Sequence, residues 1–262
     1  MKFKALHSFH LVFLLMTLTL GGCNSNNTPP KQPVEGDQKT TKTKILEEGA
    51  KLLQPTTPLG QIDIYLVGFH PMKDDPSVQM EAHHYCHQMN EDFAQCVLFD
   101  GNTKDAQLNG IEYIISEKLY KTLPSGERQY WHPHNYEILS GQLIAPNLPD
   151  AAEHALMAQK INSYGKTWHV WMTDSQGKPV DRIPLGTPHL AWSFNHDGEA
   201  VPGLVEKRDR TLTVDSTKKR QDRADLASNA HAQGGVDKLK NQFRNSDGAP
   251  AGVRDIKAGA ER

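Results

Sequence analysis

Strand-like segments follow one another along the first half of this chain with little room for helices between them. Residues 61–69 (Gln-Ile-Asp-Ile-Tyr-Leu-Val-Gly-Phe) alternate in polarity and are rich in β-branched side chains, the pattern of a half-buried strand. Residues 78–87 and 93–100 read as two further strands around the turn-forming Asn90-Glu91-Asp92, and 110–115 as a fourth. Residues 136–144, 166–173 and 189–194 continue the series. Helical spacing is confined to 117–122, which stops before Pro124, a turn at 126–131, and 149–161. In the last of these Pro149 stands at the start, acids follow in the first turn, and Gly165 lies beyond the end. Adjacent strands with few interposed helices predict a single α+β domain with a mainly antiparallel sheet and one principal helix.

Charge and hydropathy place that domain at residues 59–200. Residues 1–58 hold seven Lys/Arg against four Asp/Glu, residues 59–200 nine against 18, and residues 201–262 13 against nine. The net charge of −2 therefore averages an acidic centre with two basic flanks, and it argues against a nucleic-acid partner. A mean hydropathy of −0.61 excludes a polytopic membrane protein, whose spans need about 20 apolar residues each. Residues 24–58 are too polar to bury much surface and read as a tether, with a short helix over 45–53 that Pro55 and Pro58 end. From residue 201 the apolar content falls to lone residues such as Leu204, Leu226, Val236, Leu239 and Phe243, so the expectation there is a disordered tail or a loosely docked helix, with a basic arm on anionic lipid headgroups as the alternative.

The N-terminus carries an address. Lys2 and Lys4 precede an apolar run over residues 10–20 that is too short for a stable span, and the run ends in Leu20-Gly21-Gly22-Cys23. This resembles the bacterial lipobox, in which the peptide before the Cys is removed and the Cys is acylated. The resemblance implies residues 1–22 as signal peptide and Cys23 as a lipid anchor. It also implies a place in the cell envelope, at the outer membrane facing the periplasm where the cell has two membranes. Three acyl chains hold firmly where one binds marginally.

Ten of the 13 His fall within residues 59–200, mostly in short words: His83-His84-Tyr85-Cys86-His87, Trp131-His132-Pro133-His134, Glu153-His154 and Trp168-His169. Imidazole is the commonest side-chain metal ligand. As a strand, 79–88 puts His83, Tyr85 and His87 on one face and His84 and Cys86 on the other; as a helix it would align His83 with His87. His83, His84, His87, His132, His134, His154 and His169 are thus candidate ligands for a divalent metal, zinc or similar, with Glu137 or Glu153 as further donors. The competing reading is a set of packed core histidines. Cys86 and Cys96 would lie opposite each other in a hairpin centred on Glu91, within reach of a disulfide, or else remain two buried thiols. No hydrolase elbow, phosphate loop or dinucleotide fingerprint occurs.

Several words are more specific. Glu81-Ala-His-His-Tyr-Cys-His-Gln-Met-Asn-Glu-Asp-Phe-Ala-Gln-Cys96, Trp131-His-Pro-His134, Ser140-Gly-Gln-Leu-Ile-Ala-Pro146, Ala152-Glu-His-Ala-Leu156 and Tyr164-Gly-Lys-Thr-Trp-His169 resemble the oil body-associated protein family over roughly residues 62–200. No catalytic mechanism travels with that resemblance; it implies association with lipid bodies or their surfaces. The expectation is a lipid-anchored, non-catalytic binding module for a lipid or small molecule, with a His-rich metal-dependent enzyme or metal-binding protein as the rival.

Overall fold

The computed structural model describes residues 26–174 and 180–256; residues 1–22, expected to be a signal peptide, and Cys23 lie outside them. Seven strands form one sheet in which every named pairing is antiparallel: β1 (Ile64–Pro71), β2 (Gln79–Asn90), β3 (Phe93–Phe99), β4 (Leu108–Ile115), β5 (His132–Pro133), β6 (Tyr164–His169) and β7 (His189–Leu190). The order is β1-β2-β3-β4-β6-β5, with β7 against β6. Around the sheet run α1 (Thr41–Leu53), α2 (Glu117–Thr122), α3 (Ser125–Arg128), α4 (Asn135–Leu139), α5 (Asp150–Lys160), α6 (Leu204–Leu212) and α7 (Ser216–Asp222). The fold is α+β as read from the strand pattern, with several helices rather than one principal helix.

Register decides what the sheet presents inward. Leu66 pairs with His84, His84 with Leu98, Leu98 with Gly110 and Gly110 with His169, so these five share one face. The next row is Cys86, Cys96, Glu112 and Thr167. This inner face packs against Ile138, Leu139 and Leu143 around α4, Met157 and Ile161 of and after α5, and Leu226 and Ala230 from the C-terminal segment. His83, Tyr85 and Val97 point the other way.

Two expectations are corrected. Residues 136–144 are not a strand: α4 occupies Asn135–Leu139, with Ile138 N donating to the His134 carbonyl (3.1 Å), and Gly141 turns the chain at φ +78°. The alternation there reflects a segment buried on all sides, which periodicity alone does not assign. Residues 201–256 are not a disordered tail either. Leu204, Leu212, Leu226, Val236 and Leu239 are all buried, and Arg208 and Arg223 are buried with them. Arg208, fully buried over the Phe69 ring, donates to the Gln142 carbonyl (2.8 Å) and to Ser216 Oγ (2.9 Å). Arg223 donates to the carbonyls of Ile138 (2.9 Å) and Leu143 (2.8 Å) and pairs with Glu153 (3.1 Å). Five-donor guanidinium groups satisfy carbonyls that the irregular stretch after α4 leaves without partners.

The tether is ordered in part. Thr28 is buried and exchanges hydrogen bonds with Asn102, whereas α1 buries no residue and leaves Ile45, Leu46, Leu52 and Leu53 exposed.

Candidate metal centre

Glu112 sits on β4 with its neighbours Ile111 and Tyr113 turned outward, so the alternation of the strand drives its carboxylate into the inner face. Five imidazoles converge on it or on one another around it. On one side, His84 Nε2 lies 2.9 Å and His70 Nε2 4.0 Å from Glu112 Oε2. On the other, His134 Nε2 lies 3.2 Å and His132 Nε2 3.6 Å from Oε1, and these two nitrogens are 3.2 Å apart. His169 stands behind His70, Nε2 to Nδ1 at 3.0 Å. All six residues are buried.

The surrounding hydrogen bonds select tautomers. Ser163 Oγ donates to the Lys160 carbonyl (2.7 Å) and so accepts from His134 Nδ1 (2.8 Å), which turns Nε2 of that ring toward Glu112. His169 Nδ1 donates to the Asn109 carbonyl (3.2 Å), its Nε2 accepts from His70 Nδ1, and the lone pair of His70 is left on Nε2. His84 and His132 leave Nδ1 without a partner among the described residues. Burial, followed by the neighbouring His84, pushes His70 well below the usual imidazole range. Burial and His134 pull His132 down to about 3, and burial takes His169 down to about 4. Burial opposes the Glu112 charge, but hydrogen bonds from His134 and His84 hold its carboxyl well below the carboxylate range. At neutral pH His70, His132 and His169 are thus neutral imidazoles beside a buried carboxylate, the protonation state that metal ligation needs.

Space is provided by Gly165 on β6, opposite His132 in the register. A Cβ at Gly165 would lie 2.2 Å from Glu112 Oε1 and 2.6 Å from each of His132 Nε2 and His134 Nε2. Three donors therefore border a small volume that any other residue would fill. A second acid, Glu137 of α4, is also buried, and burial together with the Glu112 charge raises its carboxyl well above the usual range.

Of the candidates named from sequence, His84, His132, His134 and His169 come together here; His83, His87 and His154 do not. His83 is on the opposite face, bonded to Tyr65 OH (2.7 Å) and Glu81 (3.0 Å). His87 shares that face beside Gln95, and His154 pairs with Asp225 (3.0 Å). Cys86 and Cys96 face each other across β2 and β3 and are joined as a disulfide. His70 and Glu112 were missed. Glu112 had a signal: in Gly110-Ile-Glu-Tyr-Ile-Ile115 an acid occupies the phase of an inward apolar residue.

A family model described as a protein of unknown function, DUF1264, matches residues 56–227, which include every residue of the centre. The chain belongs to this family. The DUF1264 region is similar to oil body-associated protein 2A of Arabidopsis thaliana, 38% identical over 187 residues, 71% of this chain and 72% of the plant protein. Oil body-associated protein 1B of the same plant is 32% identical over 230 residues, covering 86% and 94%. Oil body-associated protein 1A of Zea mays is 35% identical over 198 residues, covering 76% and 82%. The family read from the His-containing words is thereby borne out. No solved structure matches the chain. The DUF1264 match stops before Gln233, yet that buried side chain accepts from Asn135 N (3.0 Å) and donates to the Ser163 carbonyl (2.9 Å), bracing both neighbours of His134. Among the described residues no helix is long and apolar enough to cross a membrane.

Proposed function

We propose that this chain is a non-catalytic metal-binding protein held at a lipid surface, with a divalent ion of the zinc class in the Glu112 centre. One observation carries the metal: the Nε2 atoms of His70, His84, His132 and His134 all turn toward one buried carboxylate, at 2.9–4.0 Å from Glu112. A cation among them would offset the buried negative charge and take these nitrogens as ligands. Nitrogens and oxygens 3.2–3.6 Å apart also fit the edges of a tetrahedron whose ligands stand about 2.1 Å from zinc, since such edges are about 3.4 Å. Burial of all the donors supports a holding role: structural sites are closed, while catalytic ones keep a position open to substrate.

The lipid surface is supported by Leu20-Gly21-Gly22-Cys23 and by relatives whose names associate them with oil bodies. An acylated Cys23 would attach the tether to the envelope membrane and leave the domain free of that task.

Protein expressed without a His tag should retain metal through gel filtration, and a strong chelator should lower its thermal midpoint by several degrees. Metal-free protein from metal-replete cells, with the same midpoint with and without chelator, would overturn the metal assignment. The companion variant Cys23→Ser should move the chain from the membrane fraction to the soluble one; unchanged fractionation would remove the anchor.

A further inference from the structure

The two oxygens of Glu112 serve different partners. Oε2 faces His84 (2.9 Å) and His70 (4.0 Å), and Oε1 faces His134 (3.2 Å) and His132 (3.6 Å). Within 4.8 Å of one another the donor atoms form two sets, His70–His84–Glu112 and Glu112–His132–His134, which have only the carboxylate in common. A single ion with ligands at about 2.1 Å draws all its donors within about 4.2 Å of one another, so one ion would have to pull one imidazole pair off its side of the carboxylate. A carboxylate that offers one oxygen to each of two ligand pairs is the usual bridge of a two-metal site, where the ions stand about 3.5–4 Å apart.

Resting on the metal reading above, we infer that the centre is dinuclear, with Glu112 bridging one divalent ion held by His70 and His84 and a second held by His132 and His134. The hydrogen bonds behind the imidazoles respect this division. His169 and the Asn109 carbonyl orient His70 on the first side, and Ser163 with the Lys160 carbonyl orients His134 on the other. The point above Gly68 where a Cβ would stand has both Glu137 Oε1 and His84 Cε1 near it, at 3.7 and 3.8 Å. The second side has the volume over Gly165 instead. Each half therefore has two imidazoles and one oxygen of the bridge.

The test is metal stoichiometry of the full chain, purified without a His tag and loaded with Mn²⁺ or Zn²⁺. Elemental analysis after gel filtration should give two equivalents per chain, and one in each of the double variants His70→Ala/His84→Ala and His132→Ala/His134→Ala. The Mn²⁺ form should show the exchange-coupled resonance of a bridged pair, a signature that needs no variant and survives if a variant does not fold. One equivalent in the wild type, or two without exchange coupling, overturns the bridged pair and leaves the single-ion reading standing. No metal at all overturns both.

Discussion

Gly165 has an ordinary backbone conformation, so its role is to leave space rather than to permit an unusual φ. Its missing Cβ is where Glu112, His132 and His134 point, which makes the residue a sensitive probe of the centre. Gly165→Ala should destabilise the metal-free chain by about 1–3 kcal/mol, the usual cost of overpacking, and should abolish binding by His132 and His134. Urea unfolding and elemental analysis of the same preparation check the two effects; a variant that binds metal as the wild type does would show that the volume is not used. His83 and His84 make the complementary point. They are adjacent in sequence and equally suggestive as letters, yet a pleated strand sends one to Tyr65 and Glu81 and the other to Glu112. Alternation told the two apart in advance. Which of the two faces was the functional one depended on β4 and β5, far along the chain.

At the scale of elements, short-range patterns were legible and partner choice was not. β1 to β4, α2 and α5 could be read because periodicity, turn residues and helix-end signals all agree there. The 136–144 stretch was misread because Tyr136, Ile138 and Leu143 are buried from several directions, and its stray carbonyls are satisfied by Arg223, some 80 residues later. The β2–β3 hairpin offers a prediction of its own. Cys86 and Cys96 are directly opposed on its inner face, next to Leu98 and Ile114. Thiol counting on the unfolded, unreduced chain should find no free thiol from Cys86 or Cys96. The Cys86→Ala/Cys96→Ala variant should lose about 2–3 kcal/mol, as closing a short loop predicts. Two free thiols there would show the pair to be reduced and its contribution to be packing alone.

The whole molecule carries its titratable groups in a way that sets its acid response. His70, His132 and His169 are neutral in the folded chain because burial depresses them, while in the unfolded chain they protonate near 6.5. Between that value and the depressed folded ones the unfolded state binds more protons, so stability falls as the pH falls. Glu112, also depressed, adds a loss further down, below the ordinary carboxylate range. The metal-free chain should therefore lose up to about 1.4 kcal/mol per pH unit for each of these imidazoles on acidification below pH 6.5. Denaturation midpoints between pH 7 and 5 check this, and a flat profile would mean that these rings take up protons in the fold as readily as in the unfolded chain. Bound metal should steepen the fall, because protons and ions compete for the same nitrogens.

Gln233 has a bearing on how the molecule is made. It reaches back 98 residues to the backbone of Asn135 and 70 to Ser163, the two supports on either side of His134. Arg208 and Arg223 likewise reach back to carbonyls laid down much earlier. A nascent or clipped chain that stops short of Gln233 has all of β1 to β7 but cannot brace the ligand loop. The centre is thus finished last, and an incomplete chain would reveal itself by weak hold on metal before any loss of sheet.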